Sequence, residues 1–263
     1  MSKNTEDKEV RRKRWRSLLH DWADQREKPL SARTFRKGWS TKARPVLVKC
    51  NDGNEYVIKG QQAGRQIVND QIVARLGLAI DAPVGEPRIV DVTDLAAIEQ
   101  RLSHIAPGTA HGTRFISDCF DEYTLIATSK PDNRPRLARL SVLYGWVFAN
   151  DWRFLFKKHP PRLIYSVDHG HFFPDGPDWS EETLLAAPRA ELASCFEACD
   201  LTQEEIGEAL QALEAVTEEK IIQAVSSPPD EWGLTMGERV TLVEYLTRRK
   251  QELLAGDLHN EIR

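Results

Sequence analysis

The stretch Ile164–Gly176, IYSVDHGHFFPDG, decides how this chain is read. A short run rich in β-formers delivers Asp168 into a turn crowded with two histidines, two phenylalanines, two glycines and a proline. Just upstream, RFLFKK (153–158) is a second strand-like run, joined to RLIYSV (162–167) through His159-Pro160-Pro161. A tight hairpin of these two runs would return Asp168 to the edge from which Asp151 departs. Two carboxylates held close repel unless a cation or a proton lies between them. Phosphate-bound Mg²⁺ beside a substrate hydroxyl suits such a pair, one Asp ligating the metal and the other orienting the nucleophile.

Working outward, RLARLSVLYGWVFAN (136–150) is apolar on most sides and predicts a helix buried in a sizeable lobe. From Ser180 onward the pattern is helical, with capping boxes at Thr202/Glu205 and Thr235/Glu238 around the break SSPPDEWG. Toward the N-terminus, PVLVKCNDGNEYVIKG (45–60) predicts two strands around the turn Asn51-Asp52-Gly53-Asn54, since glycine supplies the positive φ such a hairpin needs. RQIVNDQIVARLGL (65–78) repeats apolar residues at helical spacing and predicts a helix capped by Gly77. APVGEPRIVDV (82–92) reads as a turn and a strand, and HGTRFISDCF (111–120) as one further strand. The turn formers of TSKPDNRPR (128–136) suggest a boundary between lobes near residues 126–135.

Composition narrows the function classes. The 263 residues are 41% hydrophobic, as in an ordinary globular protein. Lys plus Arg total 36 against 40 Asp plus Glu, a net charge of -4, so no overall basic field recruits nucleic acid. RRKRWR (11–16) is the local exception, readable as a tail for RNA, an anionic surface or a partner, and more simply as the solvated face of a helix over 8–24 that docks by Trp15, Leu18, Leu19 and Trp22. No apolar run reaches membrane-span length and no signal-peptide pattern opens the chain, so a cytoplasmic protein without membrane partners is expected. Four cysteines without a CxxC pair argue against a disulfide scaffold or zinc ribbon, and Cys195 and Cys199 read as a buried helix face.

Lys59 ends YVIK, a run in which a surface strand would alternate. A strand lysine that reaches nucleotide phosphates and is held by an acid on the next helix is a kinase device, and Asp70 is the candidate acid. Lys59, Asp70, Asp151 and Asp168 stand in kinase order. Together, NDGNEYVIKG, IVNDQIVARLGL with APVGEPRIV, and ANDWRFLF with YSVDHGHFFPDGPDW resemble the HipA-like kinase domains, relatives of protein and phosphatidylinositol kinases. The likeness covers roughly residues 36–180.

The resemblance implies an α+β, two-lobed protein-kinase-like fold, with a small β-rich N-lobe over 31–128 and a mainly helical C-lobe over 129–263; the basic amphipathic helix read from its spacing precedes it, over 1–30. It implies ATP and Mg²⁺ as cofactors and a protein substrate or partner. Lys59 would contact the phosphates, Asp151 would be the catalytic-loop aspartate and Asp168 the metal ligand. RKGWSTKAR (36–44) falls at the phosphate-covering loop, where Ser40, Thr41 and Lys42 could cradle a phosphate. The expected activity is transfer of the γ-phosphoryl group to a hydroxyl, that of a protein Ser or Thr. Three departures matter. The position five residues after Asp151, where these kinases place a metal-binding asparagine, is Phe156; the helix acid is Asp70, where Glu is usual; and the chain is shorter than HipA toxins, so toxin activity is not implied. Two alternatives stay open. One is a nucleotide-binding pseudokinase that works through a partner, and the other a metal-dependent hydrolase built on Asp168, His169 and His171.

Overall fold

A computed structural model describes residues 2–260, with side chains from Lys8 to Gly256. The two-lobed α+β architecture expected from sequence is the one observed. The N-lobe is a closed barrel of β1 (Leu30–Gly38), β2 (Val46–Cys50), β3 (Glu55–Lys59), β5 (Thr109–Arg114) and β4 (Pro87–Asp91), in that order. Every neighbouring pair is antiparallel except β1 and β4, which close the barrel in parallel through Leu30↔Val90 and Ser31↔Asp91. Val48, Tyr56, Ile58 and Val90 fill its interior. The β2–β3 turn falls at Asp52-Gly53, with Gly53 at φ 85° and Asp52 Oδ1 accepting from Asn54 N at 3.0 Å.

The polar, basic stretch SARTFRKG (31–38), which carries little apolar signal of a strand, forms most of β1. Its outward residues are exposed, so apolar alternation survives only at Ala32 and Phe35. HGTRFISDCF is not one strand but two. β5 ends at Arg114, and β6 (Cys119–Glu122) leaves the barrel to pair with β7 (Arg153–Lys157), which in turn pairs with β8 (Ile164–Val167). The chain therefore passes from the barrel to the second sheet at residues 115–118, ahead of the turn-rich segment 128–136.

Helix α2 (Gln66–Ala79) belongs by sequence to the N-lobe but buries Ile67, Ile72 and Leu76 in the C-lobe core. Gly77 lies within this helix rather than capping it: an added Cβ would meet Val84 Cγ1 at 2.7 Å, so the residue is small because the chain passes close by. A short α3 (Thr93–Ile98) packs on β1. The C-lobe is built on α4 (Arg134–Val147), in which Leu140, Leu143 and Trp146 are fully buried and which packs on α6 (Gln203–Glu214) and α8 (Met236–Asn260). The short α5 (Glu181–Ala186) packs on α8, and α7 (Glu218–Ser226) is a separate helix with its own cap at Thr217. Both expected capping boxes form, with Thr202 and Thr235 accepting from the amides of Glu205 and Glu238.

The N-terminal helix α1 (Ser2–Ala23) docks on α7 and α8 by Trp15 and Leu19. Two arginines of its basic run find acidic partners there, Arg12 with Glu244 and Arg14 with Glu218. No described helix is long and apolar enough to cross a membrane.

Candidate active site

The cleft between barrel and C-lobe sheet is a cavity of about 450 Å³, within the usual range for a small-molecule site. Strand register decides its walls. In β3, Tyr56 and Ile58 point into the barrel, leaving Val57 and Lys59 for the opposite face; their partners Thr113 and His111 on β5 share it, because directly opposed residues project to the same side. Across the cleft, Arg153 and Leu155 of β7 and Val167 of β8 form the floor, while Phe154, Phe156 and Ile164 turn into the core.

Lys59 is the pivot of this cavity. Its ammonium, 7% exposed, donates to Asp70 Oδ2 at 2.8 Å and also bonds Asp168 Oδ1. Burial alone would depress its pKa, but the two carboxylates outweigh burial and hold it firmly protonated. Asp70, equally buried, is kept ionised by Lys59 against the upward push of desolvation. His111 and His169 are both pushed down to about 4 by burial and are neutral at pH 7. His111 Nδ1 lies 2.8 Å from Gln71 Oε1, and His169 Nε2 lies 2.8 Å from Ser166 Oγ, itself 2.7 Å from the Tyr144 hydroxyl. The bonded set Lys59, Asp70 and Asp168 thus carries one carboxylate more than it has cations. The surplus is on Asp168, whose side chain is 43% exposed toward the cavity.

Asp168 reaches this place through a left-handed backbone, φ 63°, directly after β8. The following turn is anchored from α2 by Asn69, whose Nδ2 donates to the carbonyls of Gly170, Phe172 and Gly176 and whose Oδ1 accepts from Trp179 Nε1 at 2.9 Å. Gly170 lies so close to α2 that an added Cβ would meet Gln66 Cβ at 2.8 Å. Asn69 carried no sequence signal beyond its place beside Asp70. His111 and Thr113 were likewise hidden inside a strand of small and polar residues.

The other expected site residues divide. Thr41 lines the cavity with Lys37 and Trp39, on the β1–β2 turn that overhangs it. Ser40 and Lys42, on the same turn, are exposed and outside the cavity wall, because β1 stays a strand to Gly38 and leaves only a short tip. Asp151 lies outside that wall too. It sits in the loop Phe148–Trp152, exposed, with Oδ1 accepting from Trp152 N at 2.8 Å. Arg153↔Val167 is the terminal pair of the β7–β8 hairpin, so Asp151 and Asp168 leave it at the same end, as the sequence suggested. Phe156 is fully buried on the core face of β7 and offers nothing to a metal. The Asp168, His169 and His171 cluster does not form, since His169 is turned inward to Ser166. Among the described residues no three His, Cys, Asp or Glu side chains gather as a metal-binding group.

Comparison with known proteins agrees with this fold. The crystal structure of a Helicobacter pylori proinflammatory kinase, CtkA, superposes with a TM-score of 0.58 at 10% identity, over 87% of this chain and 96% of that one. The Golgi casein kinase superposes with a TM-score of 0.50 at 10% identity, over 93% of this chain and 76% of that one. No curated protein sequence matches the chain. Residues 32–173, more than half of the chain, match the family model of the HipA-like kinases, and the protein belongs to that family.

Proposed function

We propose that this protein binds ATP with Mg²⁺ in the cleft between its lobes and transfers the γ-phosphoryl group to a hydroxyl of a protein Ser or Thr. The observation that carries this reading is Lys59, buried in the cavity wall and bonded at once to Asp70 and Asp168. Asp70 fixes the Lys59 ammonium, which would neutralise phosphate charge where desolvation makes the interaction strong. Asp168, with one oxygen on Lys59 and a half-exposed side chain, suits a Mg²⁺ that takes the rest of its shell from phosphate and water. When bound, the ion would offset charge on the transferring phosphoryl group. Asp151 would orient the acceptor hydroxyl. The acceptor oxygen bonds to the γ-phosphorus as the bond to the β–γ bridging oxygen breaks, ADP leaves with the electron pair, and the hydroxyl proton passes to Asp151.

Phe156 favours a second reading. With that position in the core of β7, the place of the metal-binding asparagine supplies no second metal ligand. The protein would then bind nucleotide without transferring phosphate and act through a partner. Transfer from γ-labelled ATP to a mixed Ser/Thr peptide pool decides between the two. Transfer by wild type that falls at least 100-fold in Asp151→Asn, with MgATP binding retained, supports the kinase. Binding without transfer in wild type establishes the second reading.

A further inference from the structure

A second cavity, of about 290 Å³, lies on the C-lobe and shares no residue with the cleft. One wall is the loop that carries Asp151, through Phe148, Ala149 and Trp152. The facing wall is the strap after α5, through Pro188, Arg189, Glu191 and Cys195. Strap and helix are closely seated: an added Cβ on Gly145 would meet the Glu191 carbonyl oxygen at 2.2 Å.

Arg249, 2% exposed, lies at this cavity. Its guanidinium donates to the carbonyls of Trp146 and Pro188, each at 2.8 Å, and of Gly145 at 2.5 Å. All three acceptors are neutral. The nearest acid on its own helix, Glu252, is engaged by the Ala190 amide at 2.9 Å and pairs with Arg248 at 3.7 Å. Among the described residues no carboxylate lies within ion-pairing distance of Arg249. Its guanidinium also lies 5.4 Å from the ring centroids of Phe148 and Tyr245. A buried cation held by carbonyl dipoles and aromatic faces, without a carboxylate, leaves positive potential in the space beside it. Arg189, exposed on the opposite wall, adds to that potential, and Glu191 subtracts from it. Three of the five guanidinium hydrogens suffice for the carbonyl bonds, leaving two for a further acceptor.

We propose that this cavity is the acceptor subsite, and that it takes a carboxylate side chain flanking the accepted Ser or Thr, so that the substrate is an acidic peptide segment. Its place follows from the loop: Trp152, which lines this cavity, directly follows Asp151, so a peptide whose hydroxyl meets Asp151 lies beside the cavity. The inference rests on the phosphotransferase reading, but peptide binding tests it apart from that reading.

The probes are three fluorescein-labelled 12-residue peptides with one central serine, flanked by glutamates, alanines or lysines, titrated with the full-length protein and read by anisotropy without nucleotide. The glutamate peptide is expected to bind at least tenfold more tightly than the alanine peptide, and the lysine peptide more weakly still. Arg189→Glu, on the surface, should bring the glutamate and alanine peptides within about twofold of each other while the melting temperature holds. Trp152→Ala should weaken the glutamate peptide without reversing the charge order. Equal binding of all three, no binding of any at millimolar protein, or an unchanged preference in Arg189→Glu overturns the subsite. A protein that prefers the acidic peptide yet neither binds nor turns over ATP keeps the subsite and loses the kinase reading. A protein that phosphorylates the glutamate and alanine peptides equally keeps the kinase reading and loses the subsite.

Discussion

Replacing Lys59 by Met removes a buried cation while nearly preserving volume, and most of the damage should fall on Asp70. That carboxylate is 3% exposed, and among the described residues Lys59 is its one ion-pair partner. Removing one partner of a buried pair costs about 3–5 kcal/mol, because the other charge stays desolvated and uncompensated. Asp168 adds little to this loss, since its half-exposed side chain can be resolvated. In the wild type the Asp70 pKa lies below its ordinary 3.8, so the pair's contribution is present above that value and is lost only as pH falls through the depressed folded pKa. In Lys59→Met, burial pushes the Asp70 pKa above its unfolded value instead. Proton uptake on acidification then relieves the strain, and the variant's deficit should shrink between pH 8.5 and pH 6. Urea unfolding followed by circular dichroism measures both terms. The expected deficit is about 3–5 kcal/mol at pH 8.5, smaller at pH 6, with at least half recovered in the double variant Lys59→Met/Asp70→Asn. A deficit below about 1 kcal/mol, typical of an exposed pair, or one that grows on acidification, refutes the electrostatic description of the cleft.

Asn69→Asp would place a carboxylate against the Gly170, Phe172 and Gly176 carbonyls in place of a donor, and should cost more than Asn69→Ala, at about 3 kcal/mol or above by the same urea assay. Gly77→Ala should lower stability by about 1–3 kcal/mol despite alanine's better helix propensity, because its Cβ overlaps Val84; a neutral or stabilising result would contradict the packing. His111 and His169 have folded pKa values pushed from 6.5 to about 4 by burial, so each contributes stability that is complete above pH 6.5 and declines as pH falls toward 4. The slope is about 1.4 kcal/mol per pH unit per histidine. Stability measured from pH 8 to pH 4.5 should fall off below 6.5, and His169→Gln should flatten the fall.

Much of the cleft was legible because its charged residues interrupt apolar patterns. Lys59 follows Tyr-Val-Ile where alternation should place a solvent-facing residue, and Asp70 interrupts the apolar face of α2. Asp168 ends a strand in a glycine-rich turn. Elements that satisfy themselves without apolar side chains were not legible. β1 holds its place by backbone pairing on both edges, so its exposed outer face reads as a basic loop. β6 is exposed at Phe120 and takes its partner from residues more than thirty positions away. Gly77 gave the signal of a helix cap because sequence cannot show that Val84 folds back against it. Arg249 is the middle one of three consecutive cations, Arg248-Arg249-Lys250, in a charged C-terminal helix, and only tertiary packing sets it against the end of α4.

The central claim is that the cleft is a MgATP site organised by Lys59 and Asp168. Isothermal titration of ATP into the protein, with Mg²⁺ and with EDTA, for wild type and Asp168→Asn, tests it most directly. A saturable heat in wild type that needs Mg²⁺ and weakens at least tenfold in Asp168→Asn is the predicted result. Absence of binding at millimolar ATP, or binding indifferent to both the metal and Asp168, would contradict the account.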